Sequence, residues 1–189
     1  MPDFQMIYAR HAAAYQRMID YEDYQGHLLP ALARIRPLDG LDVVEFGAGT
    51  GRLTVLLAPL VRRIWAADRS AHMLGVAASR LAVSGARGWR LAVADNRRMP
   101  FPAACADLAL EGWSFGHLTG WHPDNWPDEV RRALAEMMRL LRPGGTALVI
   151  ETLGTGRETP HPPTEALAAF YALLEHEYGF ASSWIRTDF

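Results

Sequence analysis

The chain has 189 residues, half of them hydrophobic, with a formal charge of -2 and an isoelectric point near 6.4. That is enough for one well-cored domain and crowded for two, and the 19 basic residues, all Arg and scattered in ones and twos, leave no footprint for nucleic acid or a membrane surface. A lone Cys105 rules out an intramolecular disulfide, and the seven His lack metal-ligand spacing. No apolar run nears the roughly eighteen residues of a membrane span, and the N-terminus lacks the order of a signal peptide, so a cytoplasmic setting is expected.

Residues 1–38 read as a helical cap. Ile7, His11, Tyr15 and Met18 recur at helical spacing, and a second helix over 24–35 ends before Pro37. Tyr8, Tyr15, Tyr21 and Tyr24 either line a ligand site or pack on the core. After the Asp39-Gly40 turn, apolar runs at 41–46, 62–67, 89–94, 106–111 and 146–151 alternate with helical patterns, which predicts a parallel sheet with helices on both faces. One helix spans 71–83, with Ser70 as N-cap and an end near Gly85. Another starts at Pro127 with Asp128 and Glu129 in its first turn, carries Val130, Leu134, Met137 and Leu141 as its stripe, and stops at the tight turn "RPGG", 142–145. A third follows "HPPT" and places Leu167, Phe170, Leu174 and Tyr178 on one face before Gly179. The final "SSWIRTDF" reads as a sixth strand. The expectation is a single domain over 1–189, with an α/β core at 41–152 and a C-terminal helix and strand at 160–189.

Glycines at 47, 49 and 51 follow the first strand, preceded by Glu45, in the stretch "VVEFGAGTGRLT". A dinucleotide fingerprint needs its third glycine where Arg52 stands, and a phosphate-binding Gly-Lys-Ser/Thr loop needs a Lys the chain lacks. What remains is a loop whose backbone approaches a ligand closely, beside a carboxylate suited to a cationic or donor group. Asp68, seventeen residues after Gly51, ends the second strand and offers two acceptor oxygens to adjacent hydroxyls, as a ribose requires. Asp95 and Asn96 end the third strand, where an adenine edge could be met, and Glu111 and Gly112 end the fourth. Four consecutive strands with polar groups at one rim point to a nucleoside site.

Together, "VVEFGAGTGRLT", Asp68, "VADNRRMPF" and "EMMRLLRPGGTALVIE" resemble the successive motifs of class I S-adenosylmethionine-dependent methyltransferases. The likeness is to the small-molecule branch often called type 11, similar to the ubiquinone and menaquinone biosynthesis methyltransferases. It covers residues 41–152. The resemblance implies a Rossmann-like sheet of seven strands, the last antiparallel, and S-adenosyl-L-methionine as cofactor with S-adenosyl-L-homocysteine as product. It places Gly47, Gly49 and Gly51 on the methionine side, Glu45 near the ammonium, Asp68 on the ribose, and Asp95 and Asn96 on the adenine. Arg69 and Met73 would pack against the adenine, Glu111 and Gly112 would frame the sulfonium, and Tyr8 would come from the cap. Two departures stand out: "NRRM" follows the third-strand acid, and the sequence for a seventh strand is missing. Either the chain is shortened or another subunit completes the sheet, so a homo-oligomer through the exposed edge is expected.

The acceptor is expected at "GWSFGHLTGWHPDNW", with Trp113, Phe115, Trp121 and His11 as contacts and His117 as base. Glu151 either faces this cavity, caps a helix or meets solvent. A small-molecule acceptor is expected. Two other classes share these features: a non-catalytic binding or interaction protein of the same fold, and an NAD-dependent oxidoreductase.

Overall fold

A computed structural model of the protein describes residues 16, 17, 19, 21–23, 25–154 and 159–186. The first cap helix, with Tyr8, His11, Tyr15 and Met18, lies outside the described residues, as does Tyr24. Of the second cap helix, α1 is Leu28–Ile35. The core then alternates as the sequence pattern requires: β1 (Asp42–Phe46), α2 (Arg52–Leu57), β2 (Arg63–Asp68), α3 (Ala71–Ser84), β3 (Trp89–Val93), β4 (Ala106–Gly112), α4 (His117–Trp121), α5 (Trp126–Leu140), β5 (Leu141–Ile150) and α6 (Glu165–Tyr178).

The five strands form one parallel sheet in the order β3-β2-β1-β4-β5. The strand order reverses at β1, so the carboxyl ends of β1 and β4 form the switch point where such sheets bind ligands. Val43, Leu108, Leu110 and Leu148 face one side and pack against Leu53, Leu57 and Leu81 of α2 and α3. On the other side, Val44, Phe46 and Ala109 meet Val130, Leu134 and Met137 of α5 and Phe170 of α6. Burial on both faces of β1 and β4 explains why these central strands read as near-continuous apolar runs.

Local signals set the helix ends. Ser70 accepts the Met73 N–H to start α3, and Gly85 at φ 68° stops it. Thr164 accepts from Leu167 at the start of α6, and Gly179 at φ 69° ends it. Three expectations need correction. Pro143-Gly144 does turn, but inside β5: Ala106 pairs with Leu141 and Leu108 with Thr146, so residues 142–145 bulge from a strand that already starts at Leu141. The "SSWIRTDF" strand is not formed over 181–186; Trp184 and Ile185 are adjacent and both exposed, which defeats the two-residue alternation a half-buried strand needs. The aromatic stretch after β4 is not all loop, since α4 lies within it.

At the amino ends of the strands, the carboxylate of Asp42 is fully buried beneath arginines. Arg62 and Arg63 each grip it with two nitrogens, and Arg142 adds a bond of 2.9 Å while reaching Asp107 at 2.8 Å. The Arg63 bond leads in holding the Asp42 carboxyl well below the usual range. The depressed value means that this contribution to stability is present above the unfolded pKa of about 4 and is lost as pH falls below it. Asp42→Asn therefore lowers Tm by about 5 °C or more at pH 7, and the gap to wild type narrows below about pH 4, as thermal denaturation across pH would read.

Candidate functional site

Asp68 ends β2 and ties the glycine loop to its own strand. Its Oδ2 accepts the Gly49 N–H at 2.9 Å and its Oδ1 accepts the Ser70 N–H at 2.8 Å. Burial, opposed by these two bonds, raises its pKa. Gly47, Gly49 and Gly51 all have positive φ, at 64°, 54° and 80°, which allows the tight loop between β1 and α2. Their free space goes to different neighbours. A side-chain carbon on Gly47 would lie 1.9 Å from Ser114 Oγ, and one on Gly51 would lie 3.0 Å from Ala77 of α3. At Gly49 the nearest atom would be Met73 Cε at 3.7 Å, an ordinary contact distance, so of the three loop glycines Gly49 alone has room beside it.

Ser114 is the residue that sequence reasoning missed. It sits on Gly47 and its hydroxyl accepts from Asn96 Nδ2 at 2.8 Å, joining the ends of β1, β3 and β4. The small side chain directly after Trp113 was its only signal. Among the described residues, two buried polar atoms here have no hydrogen-bond partner: Thr50 Oγ1 in the glycine loop and Asn96 Oδ1. The Thr50 carbonyl accepts from Arg80 at 2.8 Å.

The structure also places the other expected residues. Glu45 is enclosed beneath the loop, where its Oε2 accepts the Thr54 hydroxyl at 2.6 Å; burial pushes its pKa up to about 8, so it carries a proton at neutral pH rather than a charge for an ammonium. Asp95 is clamped by Arg97, which holds its carboxyl below the usual range, and Arg97 also pairs with Glu129 at 2.6 Å. The unusual "NRRM" thus supplies a cation that claims the Asp95 side chain. Arg69 lies 3.8 Å from Asp95 and 5.8 Å from the Trp121 ring centre, and Met73 is buried under the loop. A side-chain carbon on Gly112 would lie 2.7 Å from Leu53 Cδ1.

On the acceptor side, Phe115 is not available: it is fully buried, edge-on to Phe46 at 5.7 Å. Trp113 turns away from α4 and carries the Arg52 guanidinium 3.9 Å over its ring, while Arg52 also pairs with Glu22. His117 stacks on Trp121 at 5.1 Å, and burial lowers its pKa, so the imidazole is neutral at neutral pH. Glu111 and Glu151 reach backbone N–H groups of 114–116. Tyr8 and His11 lie outside the described residues.

A parallel sheet with a glycine loop and a strand-end Asp at its switch point is the arrangement of the doubly wound α/β class, whose ligands sit at that end of the strands. The family model described as "Methyltransferase domain" matches residues 44–149, and the chain belongs to that family. A ubiquinone/menaquinone biosynthesis C-methyltransferase from Laribacter hongkongensis is 33% identical over 150 residues, covering 78% of this chain and 56% of the relative. A malonyl-[acyl-carrier protein] O-methyltransferase from Pectobacterium atrosepticum is 29% identical over 149 residues, 79% of this chain and 52% of its own length. The chain spans about half the length of the curated relatives it matches. Among solved structures, a S-adenosylmethionine-dependent methyltransferase from Aquifex aeolicus shares the fold with a TM-score of 0.65, at 18% identity over 87% of this chain and 86% of that one. A Haemonchus contortus phosphoethanolamine N-methyltransferase, solved with phosphoethanolamine and S-adenosylhomocysteine, gives a TM-score of 0.56 at 26% identity, over 71% of this chain and 28% of that one.

Gly47→Ala forces both a positive φ on an L-residue and a clash with Ser114. Together these lower stability by about 3 kcal/mol in urea denaturation. Adding Ser114→Gly recovers part of that loss; no recovery would mean that Ser114 is not what fills the space.

Proposed function

We propose that this chain binds S-adenosyl-L-methionine and transfers its methyl group to a small-molecule acceptor. The observation that carries the reading is the loop at Gly49: a glycine with room beside it, held by Asp68, next to Thr50 Oγ1 and Asn96 Oδ1, which among the described residues have no hydrogen-bond partner. Buried polar atoms without partners are costly, and a polar ligand would satisfy them. The residues fit the group. Each Asp68 oxygen spends one lone pair on a backbone N–H and keeps another for a ribose hydroxyl. Asn96 Oδ1 can accept from an adenine amino group, a role we assign to it in preference to the Asp95 carboxylate, which Arg97 already engages. When bound, the cofactor supplies a methyl carbon activated by its sulfonium.

The chain's own contribution is alignment and proton handling. Fixing donor and acceptor in a near-attack geometry supplies several kcal/mol without a covalent intermediate, about 7 or more in favourable cases. His117, kept neutral by burial, is the base we assign if the acceptor is a hydroxyl or an acidic carbon. Arg69 and Trp121, which lie beside one another at the rim, would border the acceptor entrance. A cytoplasmic setting remains part of this reading, supported by one unpaired cysteine, Cys105.

Titration calorimetry with S-adenosylhomocysteine, followed by a labelled methyl-transfer screen over phenols, quinones, amines and carboxylates, tests the proposal. Asp68→Ala is expected to weaken S-adenosylhomocysteine binding about tenfold or more, since charge-assisted contacts to two hydroxyls disappear. Unchanged affinity in that variant would contradict the assignment of Asp68, and NAD binding in place of the nucleoside would contradict the class.

A further inference from the structure

Glu111 ends β4 and Glu151 follows β5, and the parallel register that sets Glu111 beside Val149 puts both carboxyl groups on the sheet face covered by α5 and α6. The chain leaves β4 through Trp113, a non-glycine residue at φ 56°, a conformation costing about 1–2 kcal/mol. The turn needs support, and the two carboxyls provide it. Glu111 Oε2 accepts the N–H groups of Ser114 at 2.9 Å and Phe115 at 3.2 Å; Glu151 Oε1 accepts that of Gly116 at 2.7 Å. Glu151 also crowds Gly116, where an added side-chain carbon would stand 2.9 Å from its Oε1. Glu111 is fully buried, and among the described residues its second oxygen has no hydrogen-bond partner.

Resting on the methyl-transfer reading, we propose that Glu111 and Glu151 are positioning residues for the reaction, which act by holding the backbone of 114–116. That backbone fixes two things at once: Ser114 against Gly47 on the cofactor side, and the start of α4, with His117 and Trp121, on the acceptor side. The pair does not touch the reacting atoms. Burial raises both carboxyls, to about 7 for Glu151, and the Glu151 charge raises Glu111 further. Among the described residues, Tyr171 of α6 is a titratable group against them, its hydroxyl donating to the Thr152 carbonyl at 2.7 Å and its pKa pushed up by burial and by both acids; His117 of α4 is neutral. Neutral pH thus finds the pair holding at least one proton. Because both values are raised, the protonated pair is the stable one, and stability is lost as pH rises through about 7.

The test uses Glu151→Ala and the isosteric Glu151→Gln, whose amide oxygen still accepts from Gly116. With S-adenosylhomocysteine bound, wild type loses hydrogen-exchange protection at 114–116 between pH 6 and 8 after correction for intrinsic exchange, and Glu151→Gln does not. On an acceptor from the methyl-transfer screen, Glu151→Ala lowers kcat about tenfold with KM within about twofold, and Glu151→Gln restores kcat and removes the alkaline fall. If Glu151→Ala does not fold, the pH profiles of wild type and Glu151→Gln still decide. Superimposable profiles in exchange and in kcat would overturn the positioning role while S-adenosylhomocysteine binding stays intact. Failure of wild type to bind S-adenosylhomocysteine would instead overturn the methyl-transfer reading beneath it.

Discussion

Carboxyl groups at the carboxyl ends of the strands hold the loops that make the crevice. In a parallel sheet every strand ends at the same rim, and each following loop begins with N–H groups that need acceptors. Asp68 takes those of Gly49 and Ser70, Asp95 that of Arg97, Glu111 those of Ser114 and Phe115, and Glu151 that of Gly116. Glu45 takes a hydroxyl from α2 instead. Four acids thus hold the backbone of the rim, and a fifth anchors the helix after the glycine loop. A ligand meets whatever acceptor capacity they have left.

This ordering of tasks decides which acids can also serve a ligand. Glu45 is enclosed and protonated, Asp95 is paired with Arg97, and Glu111 lies beneath its loop. Asp68 alone combines the open side of Gly49 with lone pairs to spare. The glycine loop follows the same logic. Two of its three glycines make way for protein, Gly47 for Ser114 and Gly51 for Ala77, and one leaves room for something else. Arg52, which breaks the dinucleotide spacing, is held over the ring of Trp113 and paired with Glu22, so it braces the loop from the outside.

Much of this was legible in the sequence. The alternation of apolar runs with helical stripes located all five strands, most plainly β1 and β4, which are buried on both faces, and Ser70, Thr164, Gly85 and Gly179 marked helix ends. The rim acids were legible as a set, since they end strands whose register is fixed. Their partners were not. Nothing in "ADNRRM" distinguishes Arg97 folded back on Asp95 from Arg97 in solvent, and Phe115 and Trp121 look alike as aromatic residues of one segment. Only the turn at Trp113 sends Phe115 into the core while α4 keeps Trp121 at the rim. The C-terminal segment misled because β-branched and aromatic residues favour strands only when a neighbouring face and edge receive them.

The chain belongs to the methyltransferase-domain family, and the relatives it resembles include a ubiquinone/menaquinone biosynthesis C-methyltransferase and a malonyl-[acyl-carrier protein] O-methyltransferase. The cofactor side makes the sharper claim, that Asp68 and the Gly49 opening form the seat of the nucleoside. A crystal structure with S-adenosylhomocysteine measures it directly. The account predicts both ribose hydroxyls on Asp68, the ligand against Gly49, and Ser114 still seated on Gly47. A nucleoside bound away from Asp68, or one that displaces Ser114 from Gly47, would contradict it.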